Sequence, residues 1–271
     1  MNAPVRAVLV DLDDTLYPQA QFLELAWRAV ADRGAAHGLD HVRLLVALRD
    51  VAAEGSAQGG IIDRALARVG APTDLVPLLV PDLLAAFRAV RPDRLDPYPG
   101  VVAALESLRA RVPVAIVTDG EVGGQRAKIA ALGVGDLVDA VVYSDVAGRE
   151  YRKPHPRPFT DALWLLDVPG CDAVMIGDRP DKDVAGAAGA GMRAVRVGTG
   201  EYAARADAPR TWRRAATFAD AVAGLLPLLP RPDGSVAGQA VAAGQAVAAG
   251  QAAAADQAVA AASLVRAATE P

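Results

Sequence analysis

Three apolar runs in this chain end in groups able to do chemistry. Val5 to Val10 leads into Asp11-Leu12-Asp13-Asp14-Thr15, Val114 to Val117 leads into Thr118-Asp119-Gly120, and Ala173 to Gly177 leads into Asp178, with Asp183 beyond it. One acidic turn needs no more explanation than a helix cap. A carboxylate, a hydroxyl and a second carboxylate at the ends of three such runs ask for more. Ligands of open α/β sheets bind outside the carboxyl ends of strands, so if the three runs are neighbouring strands these groups converge. Converging Asp11, Asp13, Asp178 and Asp183 would repel and raise one another's pKa values, a difficulty that a divalent cation removes. There is no histidine or cysteine cluster to join them. Oxygen-only ligands favour a hard ion, Mg²⁺ over Zn²⁺, held by one or two carboxylates plus a substrate phosphate.

The elements that must position these groups follow from periodicity. Short β-branched or apolar runs at Val5 to Val10, Val114 to Val117, Ala140 to Tyr143, Ala173 to Ile176 and Ala194 to Val197 alternate with helix-like segments. That order predicts an α/β fold, a doubly wound parallel sheet covered on both faces. The first two runs are too far apart for one crossover. Residues 18–96 instead carry helical spacing, with breaks at Gly55 to Gly60 and at Pro72, Pro77 and Pro81, and read as an inserted α-helical cap. Pro92, Pro97, Pro99 and Gly100 mark the exit, after which Val101 to Leu108 resumes an amphipathic helix. The expected organisation is a discontinuous core of residues 1–17 and 97–230, a cap of 18–96 and a tail of 231–271. The tail repeats GQAVAA from Gly238 and Gly244, GQAAAA from Gly250 and DQAVAA from Asp256. Six residues advance a helix by about 600°, so the valines build no single stripe, and a weakly helical or disordered tail is expected. Homodimerisation is compatible with such a tail.

Asp11-x-Asp13-x-Thr15, Thr118, Lys153-Pro154 and Gly177-Asp178-x-x-x-x-Asp183 together resemble the four ordered motifs of the haloacid dehalogenase superfamily. The likeness covers about residues 5–200. Asp11 to Tyr17, with Gln125, Lys128 and Leu132-Gly133, is similar to the subclass with a helical cap after the first motif. The resemblance implies a phosphatase in which Asp11 is the nucleophile and Asp13 the general acid and base. It assigns Mg²⁺ to the Asp11 side chain, the Asp13 carbonyl and Asp178, and gives Asp183 an orienting role. Thr118, Asp119 and Gly120 would bind phosphate together with Lys153, whose charge offsets that of the phosphoryl group. Asp14 would hold the turn, and Lys182 reads as a solvated helix residue. Two positions depart from similar sequences: Glu150 stands where glycine is common and Asp119 where asparagine is. A sugar-phosphate mutase shares all four motifs. A dehalogenase would lack Asp13 and the Asp178/Asp183 pair, and a phospho-acceptor receiver would not carry a long insertion after its first acidic motif.

Composition narrows the partners. The net charge of −4 offers no basic excess for nucleic acid as a structural partner, so a small phosphorylated substrate is expected. Cys171 is the only cysteine, excludes an intrachain disulfide and reads as a buried thiol beside an apolar run. No signal-peptide pattern opens the chain and no run of about 18 uncharged apolar residues precedes the tail, which points to a cytoplasmic protein without a membrane partner. In the cap, Trp27, Arg28, Arg33, His37, His41, Arg43 and Arg49 are candidates for specificity, but helical phase alone assigns none of them.

Overall fold

The computed structural model describes residues 4–55 and 59–231; the repeat tail lies outside the described residues. The chain divides into two compact units, one of residues 4–17, 97–122 and 133–231, the other of residues 18–96 and 123–132.

The first unit is built on six parallel strands: β1 (Ala7–Val10), β2 (Val114–Thr118), β3 (Ala140–Tyr143), β4 (Ala173–Gly177), β5 (Arg193–Val197) and β6 (Arg213–Ala215). Their order is β3-β2-β1-β4-β5-β6. β1 lies between β2, with Val8 opposite Val114, and β4, with Ala7 opposite Ala173, so the winding reverses at β1. Every residue of β1, β2 and β4 is buried, which is why these strands are apolar throughout and do not alternate. Ala7, Leu9, Ala115, Val117 and Met175 share a core with Phe159, Ala162 and Leu163 of helix α7 (Arg157–Leu165). Helices α5 (Val101–Arg109) and α9 (Phe218–Leu225) pack on one another and on β2 and β5, burying Leu105, Leu108, Phe218 and Leu225. A capping box between Thr217 and Asp220 opens α9.

Strand β6 was not expected. Its sequence, Arg-Arg-Ala, is too short and too charged to show a strand period, and backbone pairing to β5 at a sheet edge is what fixes it. Cys171 also departs from expectation: it is exposed, in the short turn Gly170–Asp172 ahead of the buried run of β4.

The helical unit contains α1 (Gln19–Ala36), α2 (His41–Ala53), α3 (Ile61–Arg68) and α4 (Val76–Ala89). Trp27, Val30, Leu44, Leu48, Val51, Ile62, Leu66 and Leu83 form its core. Asp40 caps α2 by accepting the Arg43 N–H at 2.9 Å. The expected break at Pro81 is absent, since α4 runs through it. Pro77 lies in the first turn, where an N–H has no helical partner, and Pro81 removes one bond from a helix held by packing. Helix α6 (Val122–Leu132) follows β2 in sequence, yet its residues 123–132 cluster with the helical unit. There the Lys128 ammonium lies 4.3 Å from the centre of the Phe22 ring, and Leu95 N–H donates to the Ala131 carbonyl at 3.1 Å. Among the described residues, no helix is long and apolar enough to cross a membrane.

Packing on the sheet reverses an ordinary helix rule at Gly186 of α8 (Ala185–Gly189), where an added Cβ would stand 2.3 Å from Cε2 of the buried Phe159. Alanine in place of a helical glycine is normally favourable by about 1 kcal/mol, whereas displacing a well-packed ring costs about 1–3 kcal/mol. Gly186→Ala is therefore expected to lower the urea unfolding midpoint. A midpoint equal to or above that of the parent chain would show that the ring moves aside freely.

Candidate active site

The reversal of winding at β1 brings the three strand ends together. Asp11 directly follows β1, Thr118 closes β2, and Asp178 directly follows β4. All three are buried, at 7%, 1% and 2% exposure. Lys153 enters from the loop after β3 through a cis peptide bond to Pro154, and only 4% of it is exposed. Its ammonium donates to Asp11 Oδ1 at 2.5 Å, to Asp183 Oδ1 at 2.7 Å and to the Val117 carbonyl at 3.1 Å, which uses all three of its protons. Thr15 Oγ1 donates to Asp11 Oδ2 at 3.0 Å. Asp183 Oδ2 accepts the Arg179 N–H at 3.0 Å, so both Asp183 oxygens are engaged. Residue 177 must be glycine here, because a Cβ would stand 2.3 Å from Asp183 Oδ2.

Asp13 is partly buried and accepts the Tyr17 hydroxyl proton at 2.6 Å. Tyr17 is fully buried, and burial together with the Asp13 charge drives its pKa upward, so the phenol remains a donor. Asp14 takes the left-handed conformation, φ 58°, which aspartate tolerates better than most residues. The turn is pinned from outside: the Asp14 carbonyl accepts the Thr199 hydroxyl at 2.5 Å, and Asp14 Oδ2 accepts the Glu201 N–H at 3.3 Å.

Asp119, the departure at the end of β2, lies in a network of its own. Oδ1 accepts from Ser144 Oγ at 2.8 Å and from the Lys153 N–H at 3.0 Å, and Oδ2 pairs with Lys182 Nζ at 3.0 Å. Lys182 is thus not the solvated residue expected from its helix-like surroundings; it faces a carboxylate that the sequence did not pair with it. Burial would raise Asp119, but Lys153 and Lys182 outweigh it and hold this carboxyl below its usual range. Gly120 follows with φ 129°.

The electrostatics are those of an over-filled acidic pocket. Burial, then repulsion from Asp183 and Asp13, pushes Asp11 up to about 7 against the pull of Lys153. Burial, then Asp11 and Asp183, raises Asp178 to about 9. Burial would lower Lys153, but Asp11, Asp183 and Asp119 overcome it and keep the ammonium charged. Asp11, Asp178 and Asp183 each offer an oxygen within 4.8 Å of the others. Oxygen donors alone, buried and carrying excess negative charge, fit a hard divalent cation.

Several contacts were not legible in advance. Arg196 sits within the run taken for a plain apolar strand, opposite Gly177 in the sheet, and is completely buried. The signal was present as a charge at an interior strand position next to the acidic turn. In the helical unit, Arg33 and His37 share Asp82, at 2.5 and 2.6 Å, Arg28 and Arg49 share Glu24, and His41 pairs with Asp32 at 3.0 Å. The arginines among these candidate specificity groups form ion pairs within that unit, and the histidines contact carboxylates there.

The model of the haloacid dehalogenase-like hydrolase family matches residues 5–191. A glyceraldehyde 3-phosphate phosphatase from Methanopyrus kandleri is 37% identical over 204 residues, covering 73% of this chain and 86% of the relative. A ribulose-1,5-bisphosphate 5-phosphatase from Halopiger xanaduensis is 31% identical, over 78% of this chain and 91% of its own. Among solved structures, CbbY from Rhodobacter sphaeroides in complex with phosphate superposes with a TM-score of 0.54 at 25% identity, over 80% of this chain and 96% of that one. A family match over most of the chain, agreeing with the sheet order and with the residues gathered at its switch point, makes this protein a member of the haloacid dehalogenase-like hydrolases.

Proposed function

We propose that this hydrolase is a Mg²⁺-dependent phosphomonoesterase that transfers the phosphoryl group of a small phosphorylated metabolite to Asp11. The observation that carries the reading is the triple bond set of Lys153, which ties Asp11 to Asp183 at the sheet's switch point beside Asp178. That arrangement sets a fixed cation against the Asp11 carboxylate, opposing the rise in its pKa that burial and Asp183 cause.

Asp11 attacks phosphorus, a P–O bond to the Asp11 carboxylate forms, and the ester P–O bond breaks. The leaving alkoxide takes a proton from Asp13. Asp13 then removes a proton from water, the resulting hydroxide attacks the same phosphorus, and the bond to Asp11 breaks to release inorganic phosphate. Tyr17, bonded to Asp13 at 2.6 Å, limits the positions that the carboxylate can take. Thr15 does the same for Asp11 at 3.0 Å. Thr118, Asp119 and Gly120 contribute hydroxyl and backbone groups for phosphoryl oxygens, with Lys153 as the fixed cation. Asp11, the Asp13 carbonyl and Asp178 would hold Mg²⁺, which would supply charge against the phosphoryl oxygens and the crowded carboxylates. Asp183, which joins the Lys153 ammonium to the Arg179 N–H, orients these groups. Relatives named for glyceraldehyde 3-phosphate and ribulose-1,5-bisphosphate support a small sugar phosphate as the substrate class proposed here.

Asp11→Asn is expected to abolish phosphate release while leaving the circular dichroism spectrum unchanged; a folded variant that still hydrolyses p-nitrophenyl phosphate at the parent rate would refute the nucleophile. Asp13→Asn should cost about 10²–10⁴ in rate on alkyl phosphates. In the first step, followed as single-turnover release of the leaving group, it should cost much less on p-nitrophenyl phosphate, whose leaving group needs no proton; equal losses in that step on both substrates would reject Asp13 as the acid. Chelation should stop turnover and added Mg²⁺ should restore it, measured as inorganic phosphate released from glyceraldehyde 3-phosphate and related sugar phosphates. Turnover indifferent to the chelator would exclude the cation.

A further inference from the structure

The loop after β5 reaches both acid-bearing turns. On one side, Thr199 donates to the Asp14 carbonyl and Glu201 donates its N–H to the Asp14 carboxylate. Gly200, φ 70°, lies so close that a Cβ there would stand 2.2 Å from the Asp14 carboxyl carbon. On the other side, the Arg179 guanidinium stacks 4.0 Å above the Tyr202 ring, and Arg205 pairs with Asp181 at 3.5 Å, so the same loop grips the residues that follow Asp178.

Arg196, at the end of β5, is what keeps this loop folded back. Its guanidinium is completely buried and donates in four directions: to the Asp178 carbonyl at 3.3 Å, the Tyr202 carbonyl at 2.6 Å, the Arg205 carbonyl at 2.6 Å and Asp207 Oδ1 at 2.5 Å. A buried charge is costly and a well-packed apolar side chain generally serves stability as well, so its presence calls for a geometric reason. The geometric reason is that one rigid fork joins the backbone of Asp178 to three points of a loop whose other end grips Asp14.

We infer that residues 198–207 are a clasp fixing the spacing between the Asp13–Asp14 turn and the Asp178 turn, with Arg196 and Thr199 as positioning residues for the cation site. The inference rests on the proposed function, because it concerns the ligands assigned there. Neither residue touches substrate or reacting atoms. Each acts through the backbone of an acidic turn, and partners of this kind set metal affinity by about 10–100-fold.

The test is Mg²⁺ affinity, measured by calorimetric titration of the full chain, alongside thermal unfolding and phosphate release as a function of Mg²⁺. Arg196→Gln is expected to weaken Mg²⁺ binding by about tenfold. Thr199→Val, which keeps the shape and removes one hydrogen bond, should weaken it by about fivefold. In both, the rate at saturating Mg²⁺ should recover most of the loss, which a variant that is merely less stable would not show. If Arg196→Gln does not fold, Thr199→Val decides alone. Folded variants that bind Mg²⁺ as the parent does would overturn the clasp and leave the function standing. A parent chain that binds no Mg²⁺ would overturn the proposed function, and the clasp with it.

Discussion

Like charges buried close together set the terms for this molecule. Three carboxylates share a volume in which water has been replaced by apolar strand ends, and one ammonium, from Lys153, stands among them. The rest of the sheet unit is arranged so that this arrangement survives. Lys153 spends its third proton on the Val117 carbonyl, which fixes the ammonium to the sheet itself. Gly177 yields the space that Asp183 occupies. Asp119 and Lys182 neutralise each other at the edge of the pocket, so the aspartate at the end of β2 adds a tie between segments and little net charge.

The sheet makes such crowding unavoidable and usable. Strands buried on both faces cannot present polar side chains along their length, so polar groups collect where the strands end. Because winding reverses at β1, the carboxyl ends of β1, β2 and β4 lie side by side. Apolar strand and reactive end are two outcomes of the same constraint.

The same constraint explains what could be read in the sequence and what could not. Runs such as Val114 to Val117 and Ala173 to Ile176 announce buried strands because nothing polar interrupts them, and the acids that follow mark the edge where they stop. Arg213–Ala215 carries no such signal, since an edge strand of three residues is held by its neighbour's backbone. Arg196 was hidden for the opposite reason: it lies inside an apolar run, and only the fold supplies the Asp178 carbonyl and the loop's two carbonyls and carboxylate that make its burial tolerable. Lys182 and Asp119 are distant in sequence, and a pair of that kind cannot be seen from local spacing. Pro81 misled because helix-breaking is a local preference that packing overrides. Cys171 misled because its apolar neighbours begin one short turn later.

The central position of β1 bears on how the chain comes to fold. Asp11 and Lys153 touch but are 142 residues apart in sequence, and β1 must find partners at both edges, one of them contributed late by β4. Parallel pairings of such long range form slowly, because loop-closure entropy must be met before any contact repays it. On a ribosome, the apolar first strand would emerge long before its second neighbour exists, and would spend that interval as an unpaired edge prone to association. The helical insertion that directly follows has its own core and can form in the meantime. The acidic cluster would then assemble late, since Asp11 and Asp178 do not meet until the first and fourth strands do.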